Sequence, residues 1–305
     1  MVSDPRRSVH NTARIAVVGS FLLILAGGLV TSRDAGLSVP DWPLAFGQLN
    51  PPGWWRIESI RTEHGHRIIA FAVALWMAFL GWRVYRLEDR TLARRLAAAG
   101  AAVVLIQALL GGLRVLRLSL DLAMVHGLVG QLFFALLCAL AVVTAPEWET
   151  RERLPNTRRE RCLTMGLVVT VILQLALGIS IRHLGAAARP LAGTWLYYAH
   201  VGTAGLVLSV ALDLNRGANA TAKPSANTLL ATIAAQIVLG IASFIVTESM
   251  AYDRQATMLQ AWLPTLHVGC GAALLGASLT RCLHAWRESL MLPLPRRQVQ
   301  RGGAV

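Results

Sequence analysis

Eight apolar runs, each long enough to cross a bilayer, decide what this chain can fold into. They occupy residues 13–32, 63–82, 96–113, 122–144, 163–181, 195–214, 228–247 and 262–279. About 20 predominantly apolar residues in helical form span the hydrocarbon core. Helix is the conformation in which a lone segment satisfies its own backbone groups in lipid. An apolar fraction of 55% against 15% charged excludes the pair of soluble domains that 305 residues would otherwise suggest. The expected fold is an all-α polytopic membrane protein.

The formal charge of +13 is distributed for topology and not for nucleic acid. Most basic residues fall on one side of the spans. They are Arg6, Arg7 and Arg14; Arg83, Arg86, Arg90, Arg94 and Arg95; Arg151, Arg153, Arg158, Arg159 and Arg161; Arg216 and Lys223; and Arg281, Arg287, Arg296, Arg297 and Arg301. That bias places both termini in the cytoplasm of a cell whose plasma membrane holds the protein. The longest outer loop, 33–62, carries Trp42, Trp54 and Trp55, and its Pro40-Asp41-Trp42-Pro43 and Pro51-Pro52-Gly53 elements predict ordered turns. Cys138, Cys162, Cys270 and Cys282 show no CxxC spacing and read as small residues, not a disulfide framework. The first run is long and lacks an Ala-x-Ala site, so no cleaved signal is expected.

Every even-numbered run then begins on the outer side, and each carries a histidine near its start: His66, His126, His200 and His267. Ionisable groups inside a span are costly and need a reason. The odd runs share a second pattern, Gln107-x-x-x-Gly111, Gln174-x-x-x-Gly178 and Gln236-x-x-x-Gly240, with Leu23 and Gly27 at the same spacing in the first run. Both patterns describe a duplicated four-span unit. The fold expected is two four-helix bundles related by a pseudo-two-fold axis along the membrane normal, residues 1–150 and 151–305.

Pairing His66 with His126, and His200 with His267, puts two imidazoles across each half. Two facing imidazoles with no acidic or thiolate co-ligand suit a six-coordinate haem better than zinc or a di-iron centre. Gly127, Gly130, Gly202, Gly205, Gly269 and Gly271 follow the ligands and would let a flat macrocycle approach; ordinary small-residue helix packing needs such glycines too. Arg67, Arg114, Arg117, Arg182 and Arg189 lie near the outer ends as candidates for haem propionates, with snorkelling as the alternative for each. Glu63 breaks the symmetry. It stands three residues before His66, on the same helical face, where Tyr197 and Pro264 precede His200 and His267. His64 points elsewhere and is expected to serve the loop instead of a metal. A di-haem b-type electron-transfer cytochrome accounts for four histidines equally well but leaves Glu63 and the first loop idle. A repeat-built transporter ranks last, because mid-span positions other than the glutamines are apolar.

At Gly27-Gly28-Leu29-Val30-Thr31-Ser32, Gly36-Leu37-Ser38-Val39-Pro40-Asp41-Trp42-Pro43, Glu63-x-x-His66-Arg67, Gln107-x-x-x-Gly111-Gly112 and the three later histidines, the chain resembles the haem A synthase family. The resemblance covers essentially all eight spans. It implies oxidation of the C8 methyl of haem O to the formyl group of haem A, for use by terminal oxidases. It further implies His66 and His126 as axial ligands of the substrate haem, His200 and His267 as axial ligands of a resident haem b, and Glu63 as an acidic residue implicated in catalysis. Haem O synthase, the cytochrome oxidase assembly machinery and an external electron acceptor are the partners it implies. Some members carry a cysteine pair in the first outer loop; this chain has none there.

Overall fold

The computed structural model describes residues 5–149, 157–184, 190–248 and 256–291. Among them are eight α-helices: α1 Pro5–Ser32, α2 Glu58–Leu87, α3 Thr91–Arg117, α4 Leu120–Thr144, α5 Arg158–Leu184, α6 Pro190–Arg216, α7 Lys223–Glu248 and α8 Met258–Met291. Each contains one expected run, and all eight are long and apolar enough to cross a membrane. The protein is an all-α polytopic membrane protein. The helices outrun the apolar segments, α1 and α4 at the amino-terminal end alone and the rest at both, because hydropathy marks the hydrocarbon slab whereas hydrogen bonding continues to the cap. Val9 and Thr12, ahead of the first run, are already buried. Ser119 caps α4 by accepting the Leu122 N–H at 3.2 Å, and Leu118 closes α3 in the left-handed region at φ 51°.

Helices α1 to α4 form a closed square, each touching its neighbours in sequence and α4 returning to α1; α5 to α8 repeat the arrangement. The squares meet along α1–α8, α4–α5 and α4–α8. Half of the most apolar stretch of α4 and of α8 is buried, against 11–22% for the other helices. Lipid offers no hydrophobic drive for such contacts, so close backbone approach supplies the attraction. Gly28 meets Thr265, Gly269 receives Leu25 and Phe21, and Gly276 receives Cys138 and Phe134. Gly269, Gly271 (under Leu175 and Gln236) and Gly130 (under Gln107) therefore serve helix contacts. Only Gly202 and Gly205 among the ligand-following glycines face open space. The boundary expected at residue 150 falls outside the described residues.

The arginine-rich end is locked by buried ion pairs. Glu88, fully buried just beyond α2, accepts from Arg90 Nε and Nη2 at 2.7 Å each, while the same guanidinium donates to the Thr144 and Ala145 carbonyls at the end of α4. Arg281 of α8 likewise reaches Glu160 of α5, Ser225 Oγ and the Ala222 carbonyl. Burial opposes the Glu88 carboxylate, but the bonds from Arg90 more than offset it, and its pKa lies below the ordinary value of 4.5. A depressed carboxylate contributes stability above its unfolded pKa and loses it as pH falls through the folded one. Thermal midpoints in detergent should therefore be flat from pH 8 to 6 and fall below about pH 4.5. Glu88→Gln, which strands a buried guanidinium, should cost about 3 kcal/mol at neutral pH. Equal midpoints for the two proteins at pH 7 would refute this.

Candidate functional site

The four histidines occupy one repeated environment. His66 of α2 lies against Gly27 of α1, His126 of α4 against Gly111 of α3, His200 of α6 against Gly178 of α5, and His267 of α8 against Gly240 of α7. A Cβ on any of these glycines would stand 3.0–3.1 Å from the imidazole Cε1. Each odd helix thus provides a notch for the histidine of the helix that follows. The glutamines one turn away belong to the same environments. Gln107 Nε2 donates to the His126 carbonyl at 3.1 Å. Gln174 Nε2 lies 3.3 Å from His200 Nε2, while its Oε1 accepts from Thr203 Oγ1. Gln236 Nε2 lies 3.4 Å from His267 Nε2, and the Gln236 carbonyl is 3.1 Å from His267 Nδ1. The Q-x-x-x-G repeat, legible in the sequence only as a sign of duplication, is one side of a histidine notch.

These rings fit a bis-imidazole metal. The His200 and His267 centroids are 6.2 Å apart, with their planes at 71°. Two imidazoles bound to one ion from opposite sides, with metal–nitrogen bonds of about 2 Å, put their centroids roughly 6 Å apart. His66 interacts electrostatically with His126 across the other half. Nδ1 of His66, His126 and His200 is buried without a hydrogen-bond partner, which a protein seldom tolerates unless a ligand completes the site. Among the described residues no group of three or more His, Cys, Asp or Glu could hold a metal ion. A macrocycle that brings its own equatorial donors suits a two-histidine site.

The amino-terminal half has a roof and a buried carboxylate beside its histidines, which the described residues of the other half do not show. Glu63, only 4% exposed, accepts the Val39 N–H at 2.9 Å and an Arg67 Nη2 bond at 2.6 Å. Arg67 also donates to the carbonyls of Val39, Asp41 and Leu44 at 2.9, 2.6 and 3.1 Å. One ion pair on the second turn of α2 therefore pins the loop chain from Val39 to Leu44. Asp41 folds that chain back by accepting from the N–H groups of Gly47 and Phe46, which hold its pKa below the usual range. The loop then docks on α3. Trp42 fills the space over Gly112, and Arg114 donates to the Gly36 carbonyl at 3.0 Å. His64, expected as a surface or loop partner, is buried with both ring nitrogens unpartnered and packs edge-on to Trp54 of the loop at 5.0 Å.

No family model matches the chain. Curated relatives do. They include proteins named Heme A synthase from Listeria welshimeri (27% identical over 139 residues, 44% of each chain) and Lysinibacillus sphaericus (28% over 131 residues, 41% of each). A third, from Mesorhizobium japonicum, is 38% identical over 133 residues, 39% of this chain and 36% of that one. Over these stretches the chain is similar to proteins named Heme A synthase. The matched stretches span less than half the length of each of these relatives.

The arginines expected at propionates have other engagements as well. Both terminal nitrogens of Arg67 are used on the loop and Glu63. Arg114 faces His66, Glu63 and Arg67 electrostatically and is one loop bond short of free. Arg182 joins the halves, donating to the Gly28 carbonyl and Ser32 Oγ of α1 at 2.6 Å each and to the Pro264 carbonyl of α8 at 3.3 Å. Arg117 is exposed at the end of α3, and Arg189 lies outside the described residues. His183, which no spacing had singled out, comes from α5 into electrostatic range of His126 and Arg114. Arg67→Ala removes four hydrogen bonds and leaves Glu63 buried beside a loosened loop. Hydrogen exchange at residues 36–48 should accelerate by two orders of magnitude or more, equivalent to about 3 kcal/mol. Unchanged protection there would refute the pinning role.

Proposed function

We propose that the protein converts haem O to haem A, oxidising the C8 methyl to a formyl group at the His66/His126 site. The observation that supports this reading is an asymmetry: among the described residues, only that pair has a buried carboxylate one turn away and a loop pinned over it. Residues 1–150 form the substrate half. Residues 151–305 hold a resident haem b between His200 and His267, which supplies one-electron transfer when bound. The chain is a multi-pass protein of the plasma membrane with both termini in the cytoplasm, the loop 33–57 lying on the outer side.

Conversion of CH3 to CHO with oxygen from water releases four electrons and four protons. It proceeds through the alcohol and a gem-diol that loses water, and an external acceptor takes the electrons. The residues around the site divide the remaining work. His66 and His126 fix the substrate, held in their notches by Gly27 and Gly111. The loop pinned by Arg67 and packed through Trp42 shields the reacting edge from bulk water. Glu63 accepts a proton or stabilises positive charge developing at the methyl carbon, with Arg67 setting its position. Haem O reaches the site from its synthase and haem A leaves toward oxidase assembly.

Chromatography of haems extracted from membranes tests the reading. Expression in a cell that makes haem O but no haem A should yield haem A, beside haem B in the purified protein. Haem B alone would favour the electron-transfer cytochrome, which uses the same histidines without Glu63.

A further inference from the structure

A groove of about 310 Å³ runs down the membrane-facing side between α1 and α2. Its walls are apolar throughout: Ile15, Gly19 and Leu22 on α1, and Ile68, Ile69 and Trp76 among those on α2. It starts beside the amino-terminal site. Ile69, Val73 and Trp76 follow His66 at helical spacing along one face, and Gly27, the notch for His66, lies just beyond Leu22 on α1. From Ile68 to Trp76 the groove descends about 12 Å into the membrane. Ile15 and Leu22, each 53% exposed, leave its side open to lipid.

The duplication shows that this wall is specialised. Superposing Gly27 on Gly178 and His66 on His200 puts Leu23 where the other half has Gln174, Ile69 where it has Thr203, and Gly19 where it has Thr170. In the carboxy-terminal half Thr203 bonds Gln174, and that glutamine reaches His200. His66 is the one ligand of the four whose notch helix lacks the glutamine. The polar Thr203–Gln174 pair at the other site is replaced here by the apolar Ile69 and Leu23.

Resting on the reading of His66 and His126 as ligands of haem O, we propose that this groove binds the isoprenoid chain of the substrate. Haem O differs from haem B by a hydroxyethylfarnesyl chain in place of a vinyl group, so a cleft of this kind selects between them. Its lining has nothing to offer a propionate, and its nearest wall residues, Ile68 and Ile69, stand two and three positions after His66 on α2. Because lipid is as apolar as the chain, the groove acts through shape and dispersion contact, which orient the ring about its iron. The chain leaving toward α1 and α2 restricts which edge of the macrocycle lies under Glu63.

Spectral titration of the full-length protein in lipid nanodiscs, with haem O and with haem B, tests this. Binding at the amino-terminal site is the part lost in His66→Ala. Haem O should bind there about tenfold more tightly than haem B. Gly19→Phe should abolish that preference, since a Cβ at Gly19 sits in ordinary contact 3.5 Å from Val73 and a phenyl group continues into the groove. Ala72→Phe on the opposite wall should do the same, with haem B affinity held within twofold in both. A preference that survives both substitutions would overturn the proposal, as would equal wild-type affinities, the result if a lipid acyl chain fills the groove. Absence of any His66-dependent binding would instead remove the substrate site itself, and the groove assignment with it.

Discussion

Glu63→Gln is expected to lower haem A formation by a factor of about 100 to 10,000 while leaving the haem content of the purified protein intact. The size of the loss separates two roles that the geometry superimposes. Glu63 joins the loop to α2, through the Val39 N–H and the Arg67 guanidinium, and it also lies one turn from His66. Glutamine keeps one acceptor oxygen for these two donors and sets an amide N–H against the other. Arg67 would still hold the carbonyls of Val39, Asp41 and Leu44, so the loop should remain in place. A purely structural Glu63 therefore predicts a loss of severalfold, matched by faster exchange in the loop. A carboxylate that takes a proton or faces developing positive charge predicts the larger loss with loop protection unchanged. The measurement is the ratio of haem A to haem O in extracts, alongside hydrogen exchange of residues 36–48. Normal haem A content in the variant would sink the catalytic role.

The same residues show what could be read in advance. Apolar runs report the membrane, so the helix count was legible from composition, and the spacing that pairs His200 with His267 agrees with rings 6.2 Å apart. Glu63 was legible because a duplication that copies His66 but not its neighbour leaves a visible difference. The notches were not, because a histidine on one helix and a glycine on the one before it are linked only by packing. The glycines after the ligands misled in part for the reverse reason: at helical spacing a glycine can open toward a ligand or toward a neighbouring helix, and Gly130, Gly269 and Gly271 face side chains. Arg67 and Arg182 end on backbone carbonyls whose positions depend on the path of the loop and on the seam between the halves. Neither path is written in local sequence.

The notch makes a prediction as large as removal of a ligand, at a residue with no donor atom. Gly178→Leu should abolish the haem of the carboxy-terminal half as completely as His200→Ala. A Cβ at Gly178 lies 3.1 Å from His200 Cε1, a separation that only a shift of the ring relieves, and a leucine side chain occupies the place of the imidazole. A ligand moved by 1 Å no longer shares an ion with His267, whose ring is 6.2 Å away centre to centre. Gly178→Ala asks for a few tenths of an ångström and should retain haem. Gly166→Leu on the same helix is the control, because a Cβ there meets nothing within 4 Å and glycine-to-leucine in a span otherwise favours helix. Pyridine haemochrome stoichiometry of the purified proteins gives the answer directly. Loss in Gly178→Leu with retention in Gly166→Leu and Gly178→Ala assigns the glycine to the ligand site. Full haem content in Gly178→Leu would show that His200 binds from some other position, and the pairing of odd-helix glycines with even-helix histidines would lose its meaning.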